Sequence, residues 1–349
     1  MPKSPQVSQP RSYLPPYVVS RLLTAGDVRL TRSMFETGRA EAAAVTRRLE
    51  RPATLEGHAS YTPPGKGRAV HDMEGRESPK PGLIVRGETD PASGDNCVDD
   101  AFRHSGTTYD FYRDVLGRRS LDGRGFPLIS SVHYGQLVSN AFWDGSQMIY
   151  GDGDGEYFLS FTRSLNIVAH ELSHGVMNFT ANLAYHGQSG ALNESFCDVM
   201  ASLVVQWSNK QAVDAADWVM GAEVLGPRLT VQGLRSFLAN PLYKDDPQLG
   251  DDPQPKHMDD FVSTTEDYGG VHINSGIANH AYYRAAQTLG GNAWEKAGKI
   301  WFEGFNTLRP QATFADAAEQ TTLAARRLFK DAEPVVRDAW AGVGVKVEL

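Results

Sequence analysis

The 349 residues exceed what one small core can use and predict about two ordinary domains plus an extension, while 41% hydrophobic content predicts a folded chain. There is no membrane-length apolar run and no N-terminal apolar stretch ending in a small-residue cleavage site, so the expectation is a cytoplasmic precursor without a standard leader, released outside the cell by a non-standard route. A formal charge of −8 with no basic stripe excludes general nucleic-acid binding, and two cysteines, Cys97 and Cys197, are too few for a disulfide framework.

The charge is uneven. Residues 1–50 carry eight basic and four acidic side chains, leaving a net −12 on the rest and marking the first fifty residues as a separate unit. Pro2, Pro5, Pro10, Pro15 and Pro16 favour an extended start over residues 1–16. Val18, Val19, Leu22 and Leu23 then recur at helical spacing, and Thr31 to Glu50 is rich in Ala, Arg and Glu, which predicts two short amphipathic helices. Residues 51–82 are dense in Pro and Gly, the composition of a linker, and a boundary belongs near residues 50–60. Val98 to Arg113 reads as helix, and Ser130 to Gly155 alternates like strands with turns such as Asp144-Gly145. Ser160–Thr180, Gly190–Asn209, Ser275–Leu289 and Thr313–Lys330 carry helical apolar spacing, giving an α+β first half and a helical second half.

The strongest chemical signal is His170-Glu171-Leu172-Ser173-His174. A four-residue step puts both imidazoles on one face of a helix, able to share a metal with Glu171 beside it, while Leu165, Val168, Leu172 and Val176 form an opposing apolar stripe. Catalytic zinc takes three protein ligands and keeps one open position, so a third ligand is required. Glu194, which opens the helix in Gly190-Ala191-Leu192-Asn193-Glu194, is the natural choice, and Asp198 one turn later is placed to hold the free ring N–H of a ligating histidine. The Gly151-Asp152-Gly153-Asp154-Gly155 run reads as a turn because it lacks the closing acid of a calcium loop, and the proline-broken acidic stretch Asp245 to Asp260 reads as a solvated loop. Burial as small hydrophobes is the expected fate of the cysteines.

HELSH, GALNESFCD, Asn140-Ala141-Phe142-Trp143 and Gly269-Gly270-Val271-His272-Ile273-Asn274-Ser275-Gly276 together resemble the thermolysin family of neutral zinc metalloproteases, from about residue 60 to the C terminus. Arg11-Ser12-Tyr13-Leu14-Pro15-Pro16-Tyr17 is similar to a short proline-containing motif of its protealysin-like branch. The resemblance implies an α+β, two-lobed zincin, with a β-rich N-terminal lobe, a helical C-terminal lobe and a cleft crossed by the HExxH helix. The divisions implied are a prosegment over 1–55 and lobes over 56–185 and 186–349.

The resemblance also implies His170, His174 and Glu194 as ligands of one Zn2+, Glu171 as general base and Asp198 as partner of His170. It implies Tyr185 and His272 as the oxyanion-binding pair, with Asp267 orienting His272. Asn140, the backbone of Ala141, and Arg235 match groups that bind the substrate main chain. Phe158, Phe161, Ile167, Met220, Val224 and Leu234 match the pocket for the residue after the scissile bond, which predicts cleavage before bulky hydrophobic residues. Phe161 and Met220 are expected to narrow that pocket toward Leu, Ile or Val. The family's paired calcium site reads here Asn166, Val205, Val219 and Ala222, with only Asp217 retained, so this Ca2+ site is expected to be lost.

The function expected is a monomeric endopeptidase acting on peptides or proteins, inhibited by its own prosegment and freed by self-cleavage between Glu50 and Tyr61. Two other readings compete: a catalytically silent zinc-stabilised binding module of the same fold, and an exopeptidase. Glu171, Tyr185 and His272, needed only for chemistry, weigh against the first, and the Asn140 and His272 segments against the second.

Overall fold

A computed structural model of the chain describes residues 11–24, 27–50, 65–78 and 80–347, with the backbone alone described at residue 11 and over 42–50. The region expected to be cut, after Glu50 and up to Tyr61, lies outside the described residues.

Strand β1 (Arg11–Ser12) leads into helices α1 (Pro16–Thr24) and α2 (Val28–Glu50). Pro16 opens α1, where its fixed φ suits the first helical position. The second helix is not short: it runs 23 residues, because the Asp27 carboxylate accepts the N–H groups of Arg29 (2.9 Å) and Leu30 (3.0 Å) and starts it three residues before Thr31.

Strands β2 (Arg68–Asp72) and β3 (Leu83–Gly87), helix α3 (Asn96–Leu116) and strands β4 (Leu128–Val132), β5 (Ala141–Trp143) and β6 (Met148–Tyr150) follow. They form, with β1, a mixed sheet in the order β1-β5-β6-β4-β2-β3. β2 corrects the linker expected over 51–82, since it is hydrogen-bonded to β3 on one side and β4 on the other and buries Val70. The glycines that suggested a linker there sit at strand starts instead, Gly65 and Gly67 before β2 and Gly82 before β3. At the opposite end β1 lies antiparallel to β5, so a segment of the first fifty residues is the outermost strand.

The second half holds α4 (Leu165–Asn178), α5 (Gly187–Asn209), the paired β7 (Val219–Met220) and β8 (Arg235–Ser236), then α6 (Asp267–Leu289), α7 (Ala297–Asn306), α8 (Phe314–Leu328) and α9 (Glu333–Ala341). α7 and α9, of ten and nine residues, are too short for their periodicity to stand out in the sequence. α4 packs between β5 and α5, and α6 packs on α5. α4 is therefore buried on every side from Asn166 to Met177, the histidine face as well as the apolar stripe opposite it. That face looks onto α5 and β1, not onto water.

The first fifty residues share the main core: Tyr13, Leu14, Val18, Leu22, Leu30 and Met34 are fully buried with residues of the sheet and of the C-terminal helices. Their ion pairs, Arg29 with Glu156, Arg39 with Glu77 and Asp27 with Arg228, are about half exposed on the arginine side. Solvent screens pairs so exposed, so apolar burial, not the +4/−12 contrast, holds this segment in place. Asp154 closes the glycine-rich 151–155 turn by accepting the N–H groups of Glu156, Tyr157 and Phe158. Asp246 and Asp252 likewise cap their own acidic loop.

Candidate active site

Ser164 caps α4, its hydroxyl accepting the Ile167 N–H, and six residues on His170 projects toward α5 with His174 one turn behind. His170 Nε2 stands 3.3 Å from Glu194 Oε2, and His174 Nε2 stands 3.4 Å from Glu194 Oε1, all three side chains being fully buried. Ligands bound at about 2.0–2.1 Å around a tetrahedral ion lie about 3.3–3.4 Å apart, so this donor set fits zinc. The outer nitrogens are committed elsewhere. Asp198 Oδ1 accepts from His170 Nδ1 at 2.9 Å and Asn193 Oδ1 from His174 Nδ1 at 2.9 Å, which leaves each Nε2 with its lone pair facing Glu194. Burial opposes ionisation of Glu194, but the positive charge of nearby His272 holds the carboxylate well below its usual range. Glu171 is fully buried beside His170, and its charge adds to the burial that lifts the Tyr150 phenol.

On the other wall, α6 begins with a break. Tyr268, Gly269 and Gly270 have positive φ (53°, 85° and 75°), and this turn folds Asp267 back onto the helix it precedes. Asp267 then takes the His272 ring Nδ1 at 2.6 Å and its backbone N–H at 2.8 Å. Burial alone would strip the proton from His272, but Asp267 and Glu194 lift its pKa to about 9. Its Nε2 faces the Tyr185 hydroxyl at 3.2 Å, and that hydroxyl donates to Glu194 Oε1 at 2.5 Å. Two hydrogen-bond donors thus converge beside the donor set.

Across these groups lies β1. Ser12 O accepts from His272 Nε2 at 3.0 Å, Tyr13 N–H donates to Ala141 O at 3.1 Å, Arg235 Nη1 donates to Tyr13 O at 2.8 Å, and Leu14 N–H donates to Asn140 Oδ1 at 2.7 Å. The residues expected to bind a substrate main chain therefore all touch one extended segment of the chain itself. The Tyr13 ring is fully buried, edge-on to His170 at 5.2 Å between centroids and 4.1 Å from the Arg235 guanidinium carbon, with its hydroxyl on Asn166 at 3.4 Å. Gly221, at φ 79°, lets it in: a Cβ there would stand 3.1 Å from both the Tyr13 hydroxyl and Leu234. The six expected pocket residues, Phe158, Phe161, Ile167, Met220, Val224 and Leu234, are at most 2% exposed.

The sequence reading missed several supports. Asn193 and Cys197 both reach His174, the sulfur at 3.1 Å from Nδ1. Asp198 serves more than His170, because buried Arg235 and Asn279 also donate to it. Glu41 of α2 accepts from Asn140 Nδ2 at 2.5 Å. The spacing of Asn193 and Cys197, one turn apart beside Glu194, was the available signal for the first pair; the others come from segments far apart in sequence. Asn166, expected at the lost calcium site, donates to Glu223 at 3.3 Å.

Residues 54–178 match the family described as thermolysin metallopeptidase, catalytic domain, and residues 181–345 that described as its alpha-helical domain. The chain is 43% identical over 339 residues, 96% of both chains, to an extracellular metalloprotease of Pectobacterium carotovorum subsp. carotovorum. It is 48% identical over 286 residues, 80% of this chain and 77% of the other, to protease PrtS of Photorhabdus sp. (strain Az29). Among solved structures it is similar to the precursor of protealysin, a metalloproteinase from Serratia proteamaculans, with TM-score 0.86 and 42% identity over 96% of this chain and 99% of that one. With such identity along nearly its whole length, the chain belongs to the thermolysin family of metallopeptidases, in the protealysin-like branch, and is a zinc metalloendopeptidase.

Proposed function

We propose that the chain is made as an inhibited precursor, with residues 1–55 as prosegment and 56–185 and 186–349 as the two lobes, and that it frees itself by cutting its own linker. The observation carrying this reading is the register of β1, whose Ser12–Tyr13 peptide runs across the site with the Ser12 carbonyl on His272 and the Tyr13 ring buried against His170 and Arg235. A segment bound in this way excludes substrate while tracing the path a substrate takes.

His170, His174 and Glu194 hold the zinc, which when bound supplies Lewis-acid polarisation of water and of the scissile carbonyl. Glu171 takes the water proton and delivers it to the leaving nitrogen, a role its buried position beside His170 supports. His272, kept protonated by Asp267, and Tyr185 donate where the carbonyl oxygen becomes negative. Asn140, Ala141 and Arg235 grip the main chain on either side of the incoming residue, so the substrate is an extended internal segment and not a chain end. The pocket selects bulky hydrophobic residues after the cleaved bond.

Mass spectrometry tests both halves of the proposal. The parent chain with zinc should gain new N termini between residues 51 and 61 and cut end-blocked peptides before bulky apolar residues. Glu171→Ala should stay full length. Equal trimming of the Glu171→Ala chain in pure solution, or a cleavage map dominated by charged residues after the cut, would overturn it.

A further inference from the structure

A second group of metal-binding side chains lies outside the cleft, at the end of the sheet where β4 and β6 both emerge. These strands are parallel and in register, Ser131 facing Ile149, so His133 leaves β4 beside the Gly151-Asp152 turn that leaves β6. The first turn of α3 meets them there. Asp95 is its N-cap: Oδ1 accepts the N–H groups of Cys97 (2.7 Å) and Val98 (3.3 Å), which directs Oδ2 at His133.

His133 Nε2 is 3.2 Å from Asp95 Oδ2, and its Nδ1 is 2.8 Å from Asp152 Oδ2. The ligating atoms of Asp95, Cys97 and His133 lie within 4.8 Å of one another. An imidazolium between two carboxylates would account for the aspartates but would leave the Cys97 sulfur, which touches Ser160 at 3.2 Å, without a part in the cluster.

We propose that Asp95, Cys97 and His133 form a second, structural zinc site, with Asp152 as the outer partner that holds His133 Nδ1 and turns Nε2 to the ion. A thiolate, an imidazole and a carboxylate suit zinc better than calcium or magnesium, and a water completes four-coordination. Donors around such an ion lie about 3.3–3.8 Å apart, which partly exposed side chains reach by small rotations from their present spacing. The ion displaces the protons of Cys97 and His133, so binding is proton-linked. Its effect is to tie the start of α3 to the loops after β4 and β6.

The test counts zinc in the full-length Glu171→Ala chain, which keeps the catalytic ligands. After equilibration in a zinc buffer and desalting, two zinc ions per chain are expected, and one in its Cys97→Ser and His133→Ala derivatives. Asp95→Asn keeps the helix cap and serves as the variant least able to disturb folding; it should weaken the second site about tenfold or more. Cobalt substitution gives an independent readout: a thiolate charge-transfer band should vanish in Cys97→Ser and persist in Cys197→Ala. One zinc in the parent, two zincs retained in all three derivatives, or a cobalt band that depends on Cys197 alone would each overturn the proposal. None of these outcomes bears on the catalytic reading, which rests on other residues.

Discussion

Tyr13→Ala isolates the contact that closes the cleft. The ring is fully buried and touches His170, Arg235 and Asn166, and the site it leaves stands at the mouth of a cleft where water replaces part of what is lost. Aromatic-to-alanine changes in closed cores cost about 3–5 kcal/mol. Allowing for water entry, about 2–4 kcal/mol of prosegment docking should disappear, which at 1.4 kcal/mol per decade is a roughly 30- to 700-fold rise in the open fraction. The assay is the initial rate of hydrolysis of an end-blocked peptide by freshly purified full-length chain, with mass spectrometry confirming that trimming has not begun. Val28→Ala, at a prosegment position 86% exposed, is the control and should leave the rate unchanged. An initial rate for Tyr13→Ala equal to the parent's would refute the argument that β1 blocks the site through this ring.

Glu171→Ala should bind zinc as the parent does and lose about 10²–10⁴ in turnover on a blocked peptide, and a strong chelator should abolish the parent's activity. Asp198→Asn should weaken zinc binding about 10- to 100-fold by equilibrium dialysis; it removes the charge but, unlike alanine, keeps an acceptor oxygen and the side-chain volume among His170, Arg235 and Asn279. Burial against the catalytic lobes raises Glu41 from 4.5 to about 7, although Asn140 donates to it, so docking of the prosegment takes up a proton. That contribution is fully present below about pH 4.5 and fades as pH rises through 7, and self-trimming of the parent should quicken over the same interval. A calcium-selective chelator should leave the melting temperature nearly unchanged, because Val205, Val219 and Ala222 offer no side-chain oxygen; a large fall would contradict loss of the paired site.

Much of the site was legible because helices make chemistry periodic. Once His170 and His174 are placed on α4, a shared ion follows from a four-residue step, and Glu194 and Asp198 follow from the same step on α5. The helical second half was likewise readable wherever an apolar stripe ran for three turns or more. β2 was hidden because five residues flanked by glycines resemble a linker until a sheet supplies partners on both sides.

What the sequence by itself determined was local: which residue types could bind zinc, move a proton or fill a pocket, and at what spacing along each element. Only the tertiary structure decided which separated segments meet. The break at Tyr268 to Gly270 that turns Asp267 onto His272, the sharing of Asp198 among His170, Arg235 and Asn279, and the passage of Ser12 and Tyr13 through the cleft all join residues through packing. Periodicity carries no information about contacts between residues 260 positions apart, such as Ser12 and His272; those are fixed by burying the apolar faces of both lobes and the prosegment in a common core.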